Sequence, residues 1–154
     1  MAIIYVAPEH ALHLAISMGG TQFIKKLVPL LSPEDLEMNA SDGQTALHFA
    51  AIYGSLDAVK ALIDNHKTLT QIINAEGFTA LHTAAIFNSK EVIWYLTWKT
   101  TDDPPRRPFT GPMAGSLIRG LVGSGSYVLP EEVELNHTPP RLLAMTWKML
   151  NFVR

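Results

Sequence analysis

The sequence predicts an all-α solenoid built from stacked helix-turn-helix units. Two observations carry this prediction. The stretch GQTALHFAAIYG at residues 43–54 recurs as GFTALHTAAIFN at residues 77–88, with an earlier echo, HALHLAISMG, at residues 10–19. The equivalent histidines follow one another at intervals of 35 and 34 residues. A fixed period of this length is typical of repeated supersecondary units that bury their apolar faces against each other.

The matching of the three copies extends well beyond the quoted stretches. Apolar residues recur at equivalent positions in both halves of each copy: Leu12, Leu47 and Leu81; Ala15, Ala50 and Ala84; Ile24, Val59 and Ile93; Leu27, Leu62 and Leu96. Within a copy the spacing follows i, i+3 and i+4, which places these side chains on one face of a helix. The pattern therefore predicts two helices in each unit, with small alanines that allow close helix packing.

The ends of the predicted helices have local signals. Thr45 and Thr79 are expected to be N-caps of the first helix in their units. That helix is expected to stop at Gly54 and Asn88, with Gly19 in the first copy, since Gly and Asn most readily adopt the left-handed C-cap conformation. Ser55, Ser89 and either Thr21 or its neighbour are expected to cap the second helix. The segments 39–43 and 74–77 have the composition of tight turns.

The repeated core at residues 45–50 and 79–84 resembles that of the ankyrin repeat, with alanine in place of the family's proline. The resemblance covers residues 10–98. In the first copy His10 stands where the threonine is expected. The resemblance implies that each of the three repeated histidines sits in the first helical turn and ties one turn to the next by hydrogen bonds. The structural positions that it implies are His13, Thr45, His48, Gly54, Thr79 and His82.

These patterns divide the chain into four segments. Residues 1–98 hold three units, at about 10–38, 39–73 and 74–98. Residues 99–112 are rich in proline and predict an extended loop. Residues 113–127 are interpreted as a degenerate fourth unit, in which Leu117 and Ile118 take the places of Leu81 and His82. Residues 128–154 form a divergent tail, for which a helix that caps the stack is favoured over an interfacial helix on an anionic membrane.

The succession of the three repeats, DDPPRRPFTGP and GSLIRGLVGSGSY resembles the plant ankyrin-repeat membrane proteins. In that group a cytosolic array precedes a block of membrane helices. The present chain departs from the group after about Tyr127, so we interpret it as a truncated or alternatively ended member. The resemblance implies a second functional hypothesis, in which the chain acts in membrane-associated defence or stress signalling through homotypic assembly with full-length members.

Composition excludes several functional classes. Apolar residues make up 47% of the 154 residues and charged residues 17%, and the net charge is −2. This balance gives no electrostatic basis for nucleic acid as the main partner. The absence of cysteine excludes thiol catalysis, Cys-type zinc sites and disulfides. The first residues lack a basic region, and no run of roughly 18 apolar residues occurs. We therefore expect an intracellular, cytoplasmic protein, or one at the cytoplasmic face of the plasma membrane, with peripheral association only.

Four local features invite a chemical interpretation. The three repeated histidines lie a full unit apart, too far to share a metal ion, so no metal site is predicted. Residues 120–125 are rich in glycine, but no Lys-Ser or Lys-Thr follows, so a phosphate loop is disfavoured. Ser32 is interpreted as a helix N-cap rather than a phosphorylation site. Residues 104–108 contain P-x-x-P, which is interpreted as linker rather than a polyproline ligand. No cofactor and no catalysis are predicted.

The Ile-aromatic pairs at the ends of the first helices carry the functional hypothesis. At about 100° per residue, Ile52 and Tyr53 lie about 140–240° from Leu47, so the helix is apolar on both sides. The ankyrin resemblance places such positions on the concave face. We expect a non-catalytic protein-binding scaffold, whose partner contacts apolar anchors and turn tips. Other ankyrin-repeat proteins are among the candidate partners. The anchors are Met18, Ile52, Tyr53, Ile86 and Phe87, and the turn residues that set specificity are Ser41, Asp42, Gln44, Glu76 and Phe78. The alternative is that Tyr53 and Phe87 fold back between units and complete the core.

Overall fold

The computed structural model describes residues 8–125, together with residues 140 and 144. Within residues 8–125 the secondary structure is helical, apart from two isolated antiparallel bridges. The α-helices are α1 (Pro8–Ser17), α2 (Thr21–Leu27), α3 (Pro33–Glu37), α4 (Ala46–Ile52), α5 (Leu56–Asn65), α6 (Ala80–Ile86), α7 (Lys90–Lys99) and α8 (Ala114–Gly123). Short 3₁₀ turns follow α2 at Val28–Leu30 and α5 at Lys67–Gln71. The predicted all-α repeat solenoid is confirmed.

The helices form two layers. Helices α1, α4, α6 and α8 pack against one another in chain order and make the inner layer, while α2, α5 and α7 make the outer layer. A column of fully buried leucines runs through the inner layer, one from each helix: Leu12, Leu47, Leu81 and Leu117. The alanines at the repeat positions Ala50 and Ala84 are also fully buried, which lets neighbouring inner helices approach closely.

Each inner helix of the three repeats ends at the residue that the sequence indicates. Gly19, Gly54 and Asn88 all have left-handed backbone, with φ of 72°, 65° and 58°. Glycine, which has no side chain, and asparagine, with its short amide, adopt this backbone conformation most readily. The amides of Ser55 and Ser89 then bond to the carbonyls of Ala50 and Ala84, which closes the turn into the outer helix.

The serines after these turns do not act as the sequence suggests. Ser55 and Ser89 occupy the N-cap positions of α5 and α7, but neither hydroxyl bonds to its own helix. The hydroxyl of Ser89 instead donates to the carbonyl oxygen of Ala51 at 2.7 Å, and so joins the third unit to the second. In the first unit Gly20, the neighbour of Thr21, is the N-cap. The expected local caps are therefore replaced, at Ser89, by a contact between units.

Two short hairpins precede α4 and α6. They are closed by the bridges between Asn39 and Thr45 and between Ile73 and Thr79. Gly43 and Gly77 have φ of 77° and 83°, which allows the tight turn at each tip. The amide of Ala75 in the second hairpin donates to the carbonyl of Asp42 in the first at 3.1 Å. The hairpin tips thus stack on one another as the helices do.

The first unit differs at its start. Helix α1 begins at Pro8, five residues before His13, whereas α4 begins only two residues before His48. Residue 10 is histidine and not the N-cap threonine of the later copies, so no cap fixes the start of the helix there and α1 begins earlier. At the end of the unit, α3 begins with Ser32 as N-cap and Pro33 at the first helical position. Ser32 and Asp35 form a reciprocal capping box, which supports the interpretation of Ser32 as a helix start.

Helix α8 occupies the place of a further inner helix. It packs against α6 as α6 packs against α4, and Leu117 is fully buried at the contact. Gly120 stands where the earlier units have Ala50 and Ala84, and a Cβ there would lie 2.9 Å from the Cβ of Ala85. The glycine therefore permits an unusually close approach of the two helices. The rest of the predicted fourth unit after residue 125, and the predicted capping helix within residues 128–154, lie outside the described residues.

The segment 99–112 has no helix or strand after Lys99, but it is compact and not the extended loop that its prolines suggest. The segment folds into two successive turns, and Pro108 and Phe109 are buried against the repeats. One oxygen of the Asp102 carboxylate accepts from the amides of Phe109 and Thr110, at 2.9 and 3.3 Å. Its other oxygen accepts from the hydroxyl of Thr110 at 2.6 Å. A compact turn with Pro108 buried does not offer an open polyproline helix to a partner.

Candidate functional site

The predicted apolar anchors lie at the end of the last turn of successive inner helices. Met18 is 77% exposed, and Tyr53, Ile86 and Phe87 are each 54–55% exposed, while Ile52 is partly buried. We call these five residues the ladder. The described residues thus leave Tyr53 and Phe87 more than half open to solvent, and the alternative in which they complete the core does not hold for these residues.

Local structure explains why the ladder residues are exposed. Tyr53 and Phe87 are the C-cap residues of α4 and α6, directly before the left-handed Gly54 and Asn88. The chain turns away at this point toward the outer layer. Side chains at the helix end therefore project beyond the layer of buried alanines instead of packing between the layers. A large aromatic ring held on a rigid helix end is a typical anchor in protein interfaces.

The register of the repeats identifies three further apolar residues on the same inner helices as the ladder. Leu14, 56% exposed, and the partly buried Phe49 follow their histidines by one residue, and the ring of Phe49 lies 4.7 Å from that of His13. Val122 in α8 is 45% exposed and is the fourth-unit equivalent of Ile86. Sequence reasoning did not assign these residues to the site. Comparing, in every unit, the residues one and four positions after the repeated histidine or its equivalent would have found them.

The hairpin-tip residues differ in how free they are. Ser41, Asp42 and Glu76 are exposed, as a contact surface requires. Gln44 is partly buried, and both its backbone and side-chain amides donate to the Asp42 carboxylate, at 3.1 and 2.9 Å. Asp42 and Gln44 therefore hold the shape of the first tip in addition to facing solvent.

Phe78 differs from the exposed turn residue that the sequence suggests. It is partly buried, and its ring stacks on that of His82 with 5.6 Å between centroids. Its amide donates to the side-chain oxygen of Asn74 at 2.9 Å. These contacts tie Phe78 to the second hairpin and to α6, so only part of its ring surface faces outward.

The repeated histidines hold the units together. In His48, Nε2 lies 2.9 Å from the carbonyl oxygen of Phe78, and Nδ1 lies 2.9 Å from the hydroxyl of Thr45 and 3.2 Å from its amide nitrogen. Because a carbonyl oxygen only accepts, the proton sits on Nε2, and Nδ1 accepts from Thr45. His82 repeats the arrangement with Thr79 at 2.9 Å and the carbonyl of Met113 at 3.1 Å.

Burial keeps these histidines neutral. His48 and His82 are almost fully buried. Desolvation lowers the pKa of both rings from the ordinary value of 6.5, and it outweighs the backbone hydrogen bonds to Phe78 and Met113, which raise the pKa. Each ring is thus engaged by its own threonine and by the next unit. Among the residues that the structure describes, no group of three His, Cys, Asp or Glu side chains is placed to hold a metal ion.

No helix among the described residues is long and apolar enough to cross a bilayer.

A comparison with protein-family models matches the ankyrin-repeat family, with three copies, over residues 10–106. No curated protein and no solved structure matches the chain. The matched range covers more than half of the sequence and includes the three units described above, of which the second and third have the threonine–histidine pairs and the stacked hairpins. The chain therefore belongs to the ankyrin-repeat family.

Proposed function

We propose that this chain is a protein-binding scaffold that holds its partner on the ladder and the neighbouring hairpin tips. Ankyrin-repeat domains are generally non-catalytic modules of protein–protein interaction, and repeat arrays bind on the extended concave surface that stacking creates. The observation that carries the proposal is the exposure of Tyr53 and Phe87 at equivalent positions of consecutive inner helices. Large apolar side chains left exposed at neighbouring positions tend to mark an interface.

Charge supports the assignment of this face. Helices α4 and α6 contain no charged residue, so the surface between the hairpin tips is apolar. The exposed carboxylates of Asp42 and Glu76 lie at its margin, on the tips. An apolar centre with a polar rim is the usual composition of an interface. The ladder would supply most of the binding energy, and the tips would select among partners.

An affinity purification from the native cell type tests the proposal. It compares the wild-type chain with the double variant Tyr53→Ser/Phe87→Ser, after circular dichroism has shown that the variant is folded. The matched control is Phe23→Ser/Trp98→Ser, which removes aromatic side chains of similar exposure, 51% and 54%, from the outer layer. Loss of the same proteins only with the ladder variant is expected. Retention of every protein by the ladder variant, or an equal loss with the control, would contradict the proposal.

The same experiment addresses the second hypothesis of the sequence analysis. Homotypic assembly with ankyrin-repeat membrane proteins predicts that the recovered partners are themselves ankyrin-repeat proteins and that the chain sediments with membranes. This hypothesis is supported by the motif resemblance alone. If the chain were recovered in the soluble fraction with partners of other classes, the scaffold function would stand and the membrane-associated hypothesis would be excluded.

A further inference from the structure

A cavity of about 180 Å³ opens between the second hairpin, which precedes α6, and the folded segment 99–112. Its apolar wall is formed by Ile73, Gly77, Pro105, Pro108, Pro112 and Met113. An apolar protein cavity of about 150 Å³ is large enough to bind benzene. The volume therefore suits one six-membered ring or one branched aliphatic group. Sequence reasoning did not find this cavity because it treated the segment as an extended loop.

The polar group best placed to meet a ligand at this cavity is Arg106. Its side chain lines the cavity while the residue remains exposed, and no described residue forms an ion pair with it. The ring of His82 also borders the cavity, but both of its nitrogens are engaged, by Thr79 and by the carbonyl of Met113. A guanidinium beside an apolar wall favours a ligand that carries a carboxylate next to an apolar group.

The neighbouring hairpin tip adds a backbone acceptor. The carbonyl of Asp42, on the first tip, accepts from the amide of Ala75 on the second. The equivalent carbonyl on the second tip is that of Glu76, next to the cavity-lining Gly77, and it receives no amide from a described residue. The segment 99–112 thus leaves open the place where another hairpin would continue the stack. A backbone N–H could complete this ladder of tips, which favours a peptide over a small acid as the occupant.

We propose that the cavity binds a short extended peptide of the protein partner, in which an aromatic or branched aliphatic residue is followed by an acidic one. The apolar side chain fills the cavity, the carboxylate pairs with Arg106, and a backbone N–H bonds to the carbonyl of Glu76. The inference rests on the proposed function, because the peptide belongs to a protein partner. The site is separate from the ladder and is built from different residues.

NMR titration of the full chain tests the inference, with the methionine methyl groups labelled with ¹³C. The Met113 methyl is a direct reporter, since it lies 3.9 Å from where a Cβ on Gly77 would stand. The probe is the peptide acetyl-Gly-Phe-Asp-Gly-amide. The controls are the same peptide with Lys in place of Asp, the same peptide with Ser in place of Phe, and free 3-phenylpropionate. We expect the first peptide to shift the Met113 signal at millimolar concentration and all three controls to bind more weakly.

Two variants locate the contacts. Arg106→Gln should weaken binding of the Phe-Asp peptide by about fivefold, as expected for loss of one charge-assisted contact. Arg107→Gln is the matched control, because Arg107 is exposed and adjacent but does not line the cavity. It should leave the affinity unchanged. An unmoved Met113 signal, equal binding of the Lys peptide or of phenylpropionate, or equal weakening by both variants would overturn the inference.

The ladder variant separates this inference from the proposed function. Tyr53→Ser/Phe87→Ser leaves the cavity intact, so it should bind the Phe-Asp peptide as the wild type does while losing the partner in the purification. If the peptide failed to bind while the ladder variant lost its partners in the purification, only the cavity site would be excluded. If the peptide bound but the ladder variant retained every partner in the purification, the cavity site would stand and the ladder would be excluded as the main surface.

Discussion

His48 Nε2 donates a hydrogen bond of 2.9 Å to the carbonyl oxygen of Phe78, thirty residues further along the chain. Through Nδ1 the same ring accepts from Thr45 in its own unit. One buried side chain therefore forms hydrogen bonds with the N-cap residue of its own helix and with the hairpin of the next unit. The same bond from His82 to Met113 joins the third unit to the segment that leads into α8. A stack of this kind gains its stability from such contacts between neighbouring units.

Replacing His48 with alanine should destabilise the fold strongly. The change leaves the hydroxyl of Thr45 and the carbonyl of Phe78 without their partner in a buried environment, and it opens a cavity. Each unsatisfied buried group costs about 1–3 kcal/mol, so we expect the free energy of unfolding to fall by about 2–4 kcal/mol. Urea denaturation followed by circular dichroism measures this change.

His66→Ala is the matched control for that experiment. His66 also makes close side-chain contacts, with Glu37 at 2.6 Å and Thr68 at 2.7 Å, but these partners are exposed. Contacts of exposed groups contribute about 0–1 kcal/mol. Equal effects of the two substitutions would show that the role of His48 between units is not special.

Acid should weaken the fold through His48 and His82. Desolvation lowers the pKa of both rings below the ordinary value of 6.5. Between these lowered values and pH 6.5 the unfolded chain binds more protons than the folded chain, so the free energy of unfolding falls as the pH falls through this window. Above pH 6.5 these two groups should contribute no slope. Urea unfolding across pH 5 to 8 is the measurement.

The variant His82→Gln isolates the contribution of one ring to this acid sensitivity. It removes one titrating group, so the fall in stability between pH 6.5 and 5 should be shallower than in the wild type, whatever the stability at pH 8. A slope unchanged by this substitution would contradict the assignment of His82 to the acid response.

Much of the fold could be predicted from the sequence because its determinants are local. The ends of α4 and α6 follow from Thr45, Thr79, Gly54 and Asn88, each of which acts within a few residues of its own position. The hydroxyl of Ser89 was assigned wrongly for the opposite reason, because its acceptor, Ala51, belongs to another unit. Local propensity does not reveal a contact between residues that are far apart in sequence.

The candidate site was predicted in part, for the same physical reason. The ladder follows from the register of the repeats and helical geometry, which place Tyr53 and Phe87 at equivalent helix ends. The cavity requires the segment 99–112 to fold back, and this depends on the hydrogen bonds that the Asp102 carboxylate accepts from the amides of Phe109 and Thr110. Four prolines suggest an extended chain, but one carboxylate across seven and eight residues imposes a compact one.

The contact between α6 and α8 should be sensitive to a single methyl group. Gly120→Ala places a Cβ 2.9 Å from that of Ala85, which is part of a rigid helix and can yield only if α8 moves. Overpacking typically costs about 1–3 kcal/mol, which outweighs the gain in helix propensity of about 1 kcal/mol. We expect Gly120→Ala to lower the free energy of unfolding.

Gly115 and Gly123 in the same helix provide the controls for Gly120. A Cβ at either position meets nothing within 4 Å. Substitution by alanine there should raise stability by up to about 1 kcal/mol through helix propensity alone. If Gly120→Ala stabilised the chain as these variants do, the close packing of α8 on α6 would be refuted.

Asp102 should control how tightly the segment 99–112 is folded. Asp102→Ala removes the acceptor of three hydrogen bonds, two from backbone amides and one from the hydroxyl of Thr110. The closed turns then lose their main local tie, and the buried Pro108 and Phe109 become more often exposed. Because a protease cuts loosened backbone faster, we expect trypsin to cleave after Arg106 several-fold faster than in the wild type. Mass spectrometry of timed digests measures the rate.

Asp103→Ala is the matched control. It removes the same charge at the next residue, whose side chain is exposed and makes none of these bonds. An equal increase in cleavage for both variants would mean that charge, and not the bonds of Asp102, governs the segment.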